Sequence, residues 1–118
     1  MRHRVKGKKF HRETGRRRSF LRNLTNDLIR AGKIETTEAR AKAIRPLVER
    51  YVTMAKRQDL ASRRLLLSRL QNKKTVEKLM DDVSPRYATR PGGYVRITKL
   101  AKARKRDGSR LTTIEFVE

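Results

Sequence analysis

Thirty-three lysines and arginines face only twelve carboxylates in this chain of 118 residues, a formal net charge of +21 at pH 7. Self-repulsion on that scale works against a compact isolated state. A fold is feasible only with a small, well-made core and a polyanion that neutralises the surplus, nucleic acid first and an anionic membrane surface second. Leucine, isoleucine, valine and phenylalanine supply 27 residues, a little above the roughly 20% floor below which chains stay disordered. One domain is the expectation at this length, which is short for a multi-step enzyme carrying its own cofactor domain. The absence of cysteine excludes disulfides, thiolate metal sites and cysteine nucleophiles. Two histidines make no zinc site unless carboxylates complete it. The longest apolar run, Leu65–Leu67, falls far short of the ~20 residues a spanning helix needs. The opening Met1-Arg2-His3-Arg4 lacks the apolar stretch of a secretory signal.

The cations are not spread evenly. Residues 1–22 carry ten basic side chains against one acidic, residues 23–80 fourteen against six, and residues 81–118 nine against five. The first block has few apolar groups and reads as an interaction arm for nucleic acid. We place the arm at residues 1–15 and a single globular domain at 16–118.

From Arg16 the pattern turns helical, with Phe20 or Leu21, Leu24, Leu28 and Ile29 at three- and four-residue spacing. Gly32 is positioned to end that helix. Arg16, Arg17, Arg18 and Arg22 continue the arm onto its first turns, where cations oppose the helix dipole. Stability disfavours them there, which points to a functional role. The stretch 33–36 leans to strand. A second helix follows, with Thr36 as candidate cap, a Glu38–Lys42 pair, and a core stripe of Ile44, Leu47, Val48, Tyr51, Val52 and Ala55. Pro46 inside it predicts a kink. Asp59 can cap a third helix bearing Leu60, Leu66, Leu67 and Leu70. Asn72 can cap a fourth, with Val76, Leu79, Met80 and Val83 inward and Ser84-Pro85 as its stop. Alternation over Tyr94–Leu100 and Leu111–Val117 predicts a β-hairpin whose long basic tip spans Ala101–Ser109. The predicted class is α+β, a mixed α/β layer. It comprises a small three-stranded sheet with a C-terminal β-hairpin, the third strand from Ile34–Thr36, about four covering helices and the basic N-terminal arm.

Nothing in the spacing supports catalysis. The carboxylates are scattered, the serines have no nucleophile-elbow context, and Gly92-Gly93 is not followed by the Lys-Ser/Thr of a phosphate loop. No cofactor, metal or small-molecule substrate is expected.

Three groups are candidates for nucleic-acid contact. The arm contributes Arg2, His3, Arg4, Lys6, Lys8, Lys9, Phe10, His11, Arg12, Arg16, Arg17, Arg18 and Arg22. Guanidinium forks match phosphate oxygens, and an interleaved aromatic such as Phe10 can stack on an unpaired base. Phe20 is read rather as facing the core. The hairpin tip contributes Lys99, Lys102, Arg104, Lys105 and Arg106, against the plain alternative of a solvated turn. The third group is Arg86, Arg90, Gly92, Gly93, Tyr94 and Arg96. Glycines there would admit a phosphate close to the backbone, and the alternative is a simple turn with Tyr87 and Tyr94 packed on the sheet.

Several segments carry a resemblance: Met1-Arg2-His3-Arg4, Arg22-Asn23-Leu24, Ile34-Glu35-Thr36-Thr37, Ala39-Arg40-Ala41-Lys42, Ala88-Thr89-Arg90-Pro91-Gly92-Gly93-Tyr94-Val95-Arg96-Ile97 and the closing Ile114-Glu115. Together they resemble the bacterial large-subunit ribosomal protein seventeen family along essentially the whole chain, most specifically at 34–42 and 90–97. The resemblance implies a non-enzymatic structural constituent of the large ribosomal subunit in the cytoplasm. It implies a place on the outer surface near the polypeptide exit tunnel, contact with ribosomal RNA and neighbouring ribosomal proteins, and a small sheet flanked by helices. A histone-like DNA-binding protein is the alternative from another class. A membrane-surface binder is disfavoured by the acidic residues on the second and fourth helices.

Overall fold

The structure, a computed structural model, describes residues 14–105 and 107–118. Its order is α1 (Thr14–Ala31), β1 (Lys33–Thr37), α2 (Glu38–Ala55), α3 (Leu60–Leu70), α4 (Lys73–Lys78), a π turn (Leu79–Val83), a short α5 (Ser84–Arg86), β2 (Val95–Ala103) and β3 (Arg110–Phe116). The α+β class holds, with a three-stranded antiparallel sheet in the order β1-β3-β2 and helices packed against it.

Local chemistry sets most boundaries. Gly32 sits at φ +83°, the left-handed conformation that ends a helix without Cβ strain, and its N–H donates to the Leu28 carbonyl at 2.7 Å. Asp59 caps α3 by accepting from the Ser62 N–H at 2.7 Å, and Asn72 caps α4 by accepting from the Thr75 N–H at 3.2 Å. The Glu38–Lys42 pair forms at 2.9 Å.

Some details differ from the sequence reading. The cap of α2 is Thr37, not Thr36, and its side chain accepts from the Arg40 N–H at 3.4 Å. The strand runs one residue further than read, through Thr37, which pairs with Leu111, while Thr36 is buried opposite Thr112. Ser84-Pro85 does not stop the fourth helix. The chain widens into the π turn and continues through α5, with Pro85, whose missing N–H costs least at a helix start, in the first turn. The Met80 carbonyl within that turn accepts from the Gln58 amide at 2.7 Å and the Ser84 hydroxyl at 3.2 Å. The hairpin tip is shorter than expected. An irregularity in register between Lys99 and Ala103 lets β2 continue to Ala103, so Lys99 and Lys102 stand on a strand. α2 runs unbroken through Pro46. Both Pro46 and Lys42, whose carbonyl loses its helical partner there, are exposed, so water can serve that carbonyl.

A single hydrophobic cluster fills the space between sheet and helices. Leu28 and Ile29 of α1, Ile44 and Val48 of α2, Leu66 and Leu70 of α3, and Val76 and Leu79 are all sequestered from solvent. Ile34, Ile114 and Ile97 lie side by side across the three strands and face this cluster. Tyr87, Tyr94 and Phe116 close one end, with ring centroids 5.3 Å and 6.3 Å apart.

Candidate nucleic-acid interface

The first turn of α1 contains no acidic residue. Arg16 and Arg18 are exposed, and Arg17 and Arg22 are partly so. Arg22 donates to the Ser19 hydroxyl at 3.2 Å. Among the described residues, none of Arg16, Arg17, Arg18 and Arg22 forms an ion pair, nor do Arg64 and Arg69 on α3. Phe20 is half-buried, with the Arg40 guanidinium 4.9 Å from its ring centre, so its outer face packs on a cation of α2.

Arg18, Leu21, Arg22 and Thr25 recur at i, i+3, i+4 and i+7 and so share one face of α1. That face looks into a cleft of about 500 Å³ between α1, α2 and the end of α3. Leu47 and Tyr51 of α2 form its apolar floor, and Arg69 of α3 joins Arg18 and Arg22 at its mouth. Sequence reading missed Arg69, because only the packing of α3 on α1 brings it beside the other two.

The hairpin cations sit differently. Arg96 meets Glu115 at 2.9 Å, Lys102 meets Glu35 at 3.0 Å, Lys99 approaches Glu38 at 3.9 Å, and Arg104 approaches Asp107 at 3.6 Å. The hydrogen bond from Lys42 first, and then the nearby charges of Lys42 and Lys99, hold the Glu38 carboxyl below its ordinary value. Asp107 is likewise held low by the Ser109 N–H, which donates to it at 3.0 Å. The tip is a tight turn closed by Arg104 N–H to the Ser109 carbonyl at 3.0 Å and Gly108 N–H to the Arg104 carbonyl at 3.1 Å. Lys105 is exposed at this turn.

The third candidate group is largely occupied with its own turn. The Arg90 side chain donates to the Gly92 and Gly93 carbonyls at 3.0 and 3.2 Å. Tyr94 is 2% exposed and packs its ring in the core, as the plain-turn alternative has it, and Tyr87 is buried too. The Tyr94 hydroxyl accepts from Lys56 at 3.0 Å, which holds it below the ordinary tyrosine value. Burial pushes Tyr87 up, and its hydroxyl donates to the Val117 carbonyl. Glu49 binds the start of β2, accepting from the Tyr94 and Val95 N–H groups at 3.1 and 3.2 Å. Arg86 and Arg96 stay exposed beside this turn. Arg2, His3, Arg4, Lys6, Lys8, Lys9, Phe10, His11, Arg12 and Arg106 lie outside the described residues.

Among the described residues no group of three or more histidines and carboxylates could hold a metal ion, and no helix is long and apolar enough to cross a membrane.

Fold and surface together define a class: a small, strongly cationic α+β protein with one face of guanidiniums that no carboxylate answers among the described residues. Residues 20–117 match the family model for ribosomal protein L17. The chain is 50% identical over 119 residues to the large ribosomal subunit protein bL17 of Persephonella marina, covering 100% of this chain and 96% of the relative. It is 49% identical over 118 residues to that of a Hydrogenobaculum species, and 44% identical to that of Thermus thermophilus, with both chains fully covered in each case. The chain belongs to the ribosomal protein L17 family.

Proposed function

We propose that this protein is a non-catalytic structural constituent of the large ribosomal subunit in the bacterial cytoplasm. It binds ribosomal RNA through the residues 1–15 arm and the adjoining cationic face of α1. The globular part, residues 16–118, stays at the subunit surface near the exit tunnel and touches neighbouring ribosomal proteins. The observation that carries this reading is the run Arg16, Arg17, Arg18 and Arg22, four guanidiniums without an ion-pair partner among the described residues, on a helix start whose dipole disfavours cations. A surface like that is costly alone and stabilised against phosphate. The hairpin cations Lys99, Lys102, Arg104, Lys105 and Arg106, and Arg86, Arg90 and Arg96 with Gly92 and Gly93, are secondary contacts, while Tyr94 supports them from within. Recognition is of RNA shape and backbone, since arginine and lysine dominate the surface.

Titration of the full chain against large-subunit RNA across a fourfold range of salt tests this. With about 6–10 phosphate contacts the affinity falls by about 10³–10⁵. A flat response refutes the reading. Equal competition by duplex DNA would favour the histone-like alternative instead. Removal of residues 1–13, which leaves α1 intact, should abolish incorporation into the subunit while the body stays folded.

A further inference from the structure

The cleft between α1, α2 and α3 has a mouth and a floor of opposite character. Arg18 and Arg69 are exposed at its edge and Arg22 is partly so, and no carboxylate is found among its described lining residues. Leu21, Leu47 and the ring of Tyr51 give it an apolar floor, and Thr25, Ser68 and Gln71 complete the lining with neutral polar groups. The Tyr51 hydroxyl makes no hydrogen bond among the described residues and is not among the buried unsatisfied atoms, and Tyr51 lines the cleft. The volume, about 500 Å³, falls within the range of built ligand sites. The lining suits an occupant that is anionic at one end and carries an apolar face with polar edges at the other.

We propose that this cleft receives one unpaired nucleotide of an RNA strand. The base enters against Tyr51, Leu21 and Leu47, and the flanking phosphates lie against Arg18, Arg22 and Arg69. Arginine planes stack on bases as readily as their forks hold phosphate, so the mouth serves both ends of the nucleotide. A purely phosphate-binding surface needs no apolar floor. An apolar protein segment would leave three guanidiniums unanswered. This inference rests on the RNA-binding reading above and adds a recognition element to it: a bulged or looped-out base rather than the backbone alone.

The test uses the full chain and two RNA hairpins of equal length and charge, one fully paired and one with a single bulged nucleotide. The bulged hairpin should bind at least about fivefold more tightly, the worth of one stacked base. Ser68 lines the cleft and is exposed. Ser68→Trp fills the cleft without removing a cation, and it should erase the preference while leaving affinity for the paired hairpin unchanged. Equal binding of both hairpins by the native chain, or a preference that survives S68W in a folded variant, overturns the proposal while leaving RNA binding intact. Failure of both hairpins to bind overturns the functional reading as well. A photoreactive 4-thiouridine at the bulge gives a readout that needs no variant. Cross-links to the peptides carrying Leu47, Tyr51 or Arg69 support the site, and cross-links confined to other segments refute it. Adenosine monophosphate is the remaining probe: competition by it as strong as by the bulged hairpin would make the ligand a free nucleotide and overturn the proposal.

Discussion

Arg16, Arg17, Arg18 and Arg22 stand on α1 with no carboxylate beside them among the described residues, whereas Arg96, Lys99, Lys102 and Arg104 on the hairpin each have one within 4 Å. Both regions are basic in the sequence, and a tally of lysine and arginine does not separate them. The difference lies in where the acidic side chains fall after folding. Glu35 and Glu38, from β1 and α2, reach β2 across more than sixty residues of chain, and Glu115 of the central strand meets Arg96 beside it. Exposed pairs of this kind add little to stability, about 0–1 kcal/mol each. They do lower the local potential that a polyanion meets, so the hairpin presents a patchwork and residues 16–22 of α1 a field of one sign.

The widest separation should come from charge reversal. Arg16→Glu, Arg17→Glu and Arg18→Glu together should lower affinity for large-subunit RNA by about a hundredfold or more and flatten the salt dependence by about two to three in log–log slope. Lys99→Glu, Lys102→Glu and Arg104→Glu together should cost less than about fivefold. Equal losses by filter binding would erase the contrast between the two regions.

A second test acts on the hairpin's anchorage rather than its charge. Glu49→Ala leaves the Tyr94 and Val95 N–H groups at the start of β2 without their acceptor. It should cost about 2–3 kcal/mol in chemical unfolding, with α1-mediated RNA affinity retained by the folded fraction.

The third sharpens the role of carboxylates as caps. Hydrogen bonds from Ser62 hold Asp59 below its ordinary value of 3.8. The ionised form is the one favoured in the fold, so its contribution is complete above that ordinary value and fades as pH falls toward the lowered one. Asp59→Ala should lower the melting temperature at neutral pH through loss of the α3 cap. Asp59→Asn should keep neutral stability and lose this acid-side dependence, as read from melting temperature against pH.

The smallest effect belongs to the hairpin pairs themselves. Glu35→Gln with Glu115→Gln should change stability by less than about 1 kcal/mol. It should also raise RNA affinity, by less than about threefold, because it uncovers Arg96 and Lys102. No change in affinity would show that those cations face away from RNA.

Local chemistry was legible from the chain, and chemistry completed at a distance was not. Gly32, Asp59 and Asn72 announce their roles because each acts within four residues of itself. The inward set Val76, Leu79, Met80 and Val83 survives even where the backbone widens to a π turn, since all four side chains still reach the core. The shift of the α2 cap from Thr36 to Thr37 turned on the strand pairing of Thr36 with Thr112, which no local pattern contains. The placement of Arg69 beside Arg18 and Arg22, and the pairing of Lys99 and Lys102 with Glu38 and Glu35, likewise depend on partners remote in sequence. Tyr94 showed the reverse: its setting beside two glycines suggested a ligand contact, and burial against Tyr87 gave it a packing role.

The order β1-β3-β2 puts the last-made strand in the middle. β1 and β2 share no ladder, so neither finds a backbone partner in the sheet until residues 110–116 arrive. A nascent chain that lacks them has two orphan edges rather than a partial sheet. Assembly of this layer thus waits on residues 110–116 to leave the machine that makes the chain.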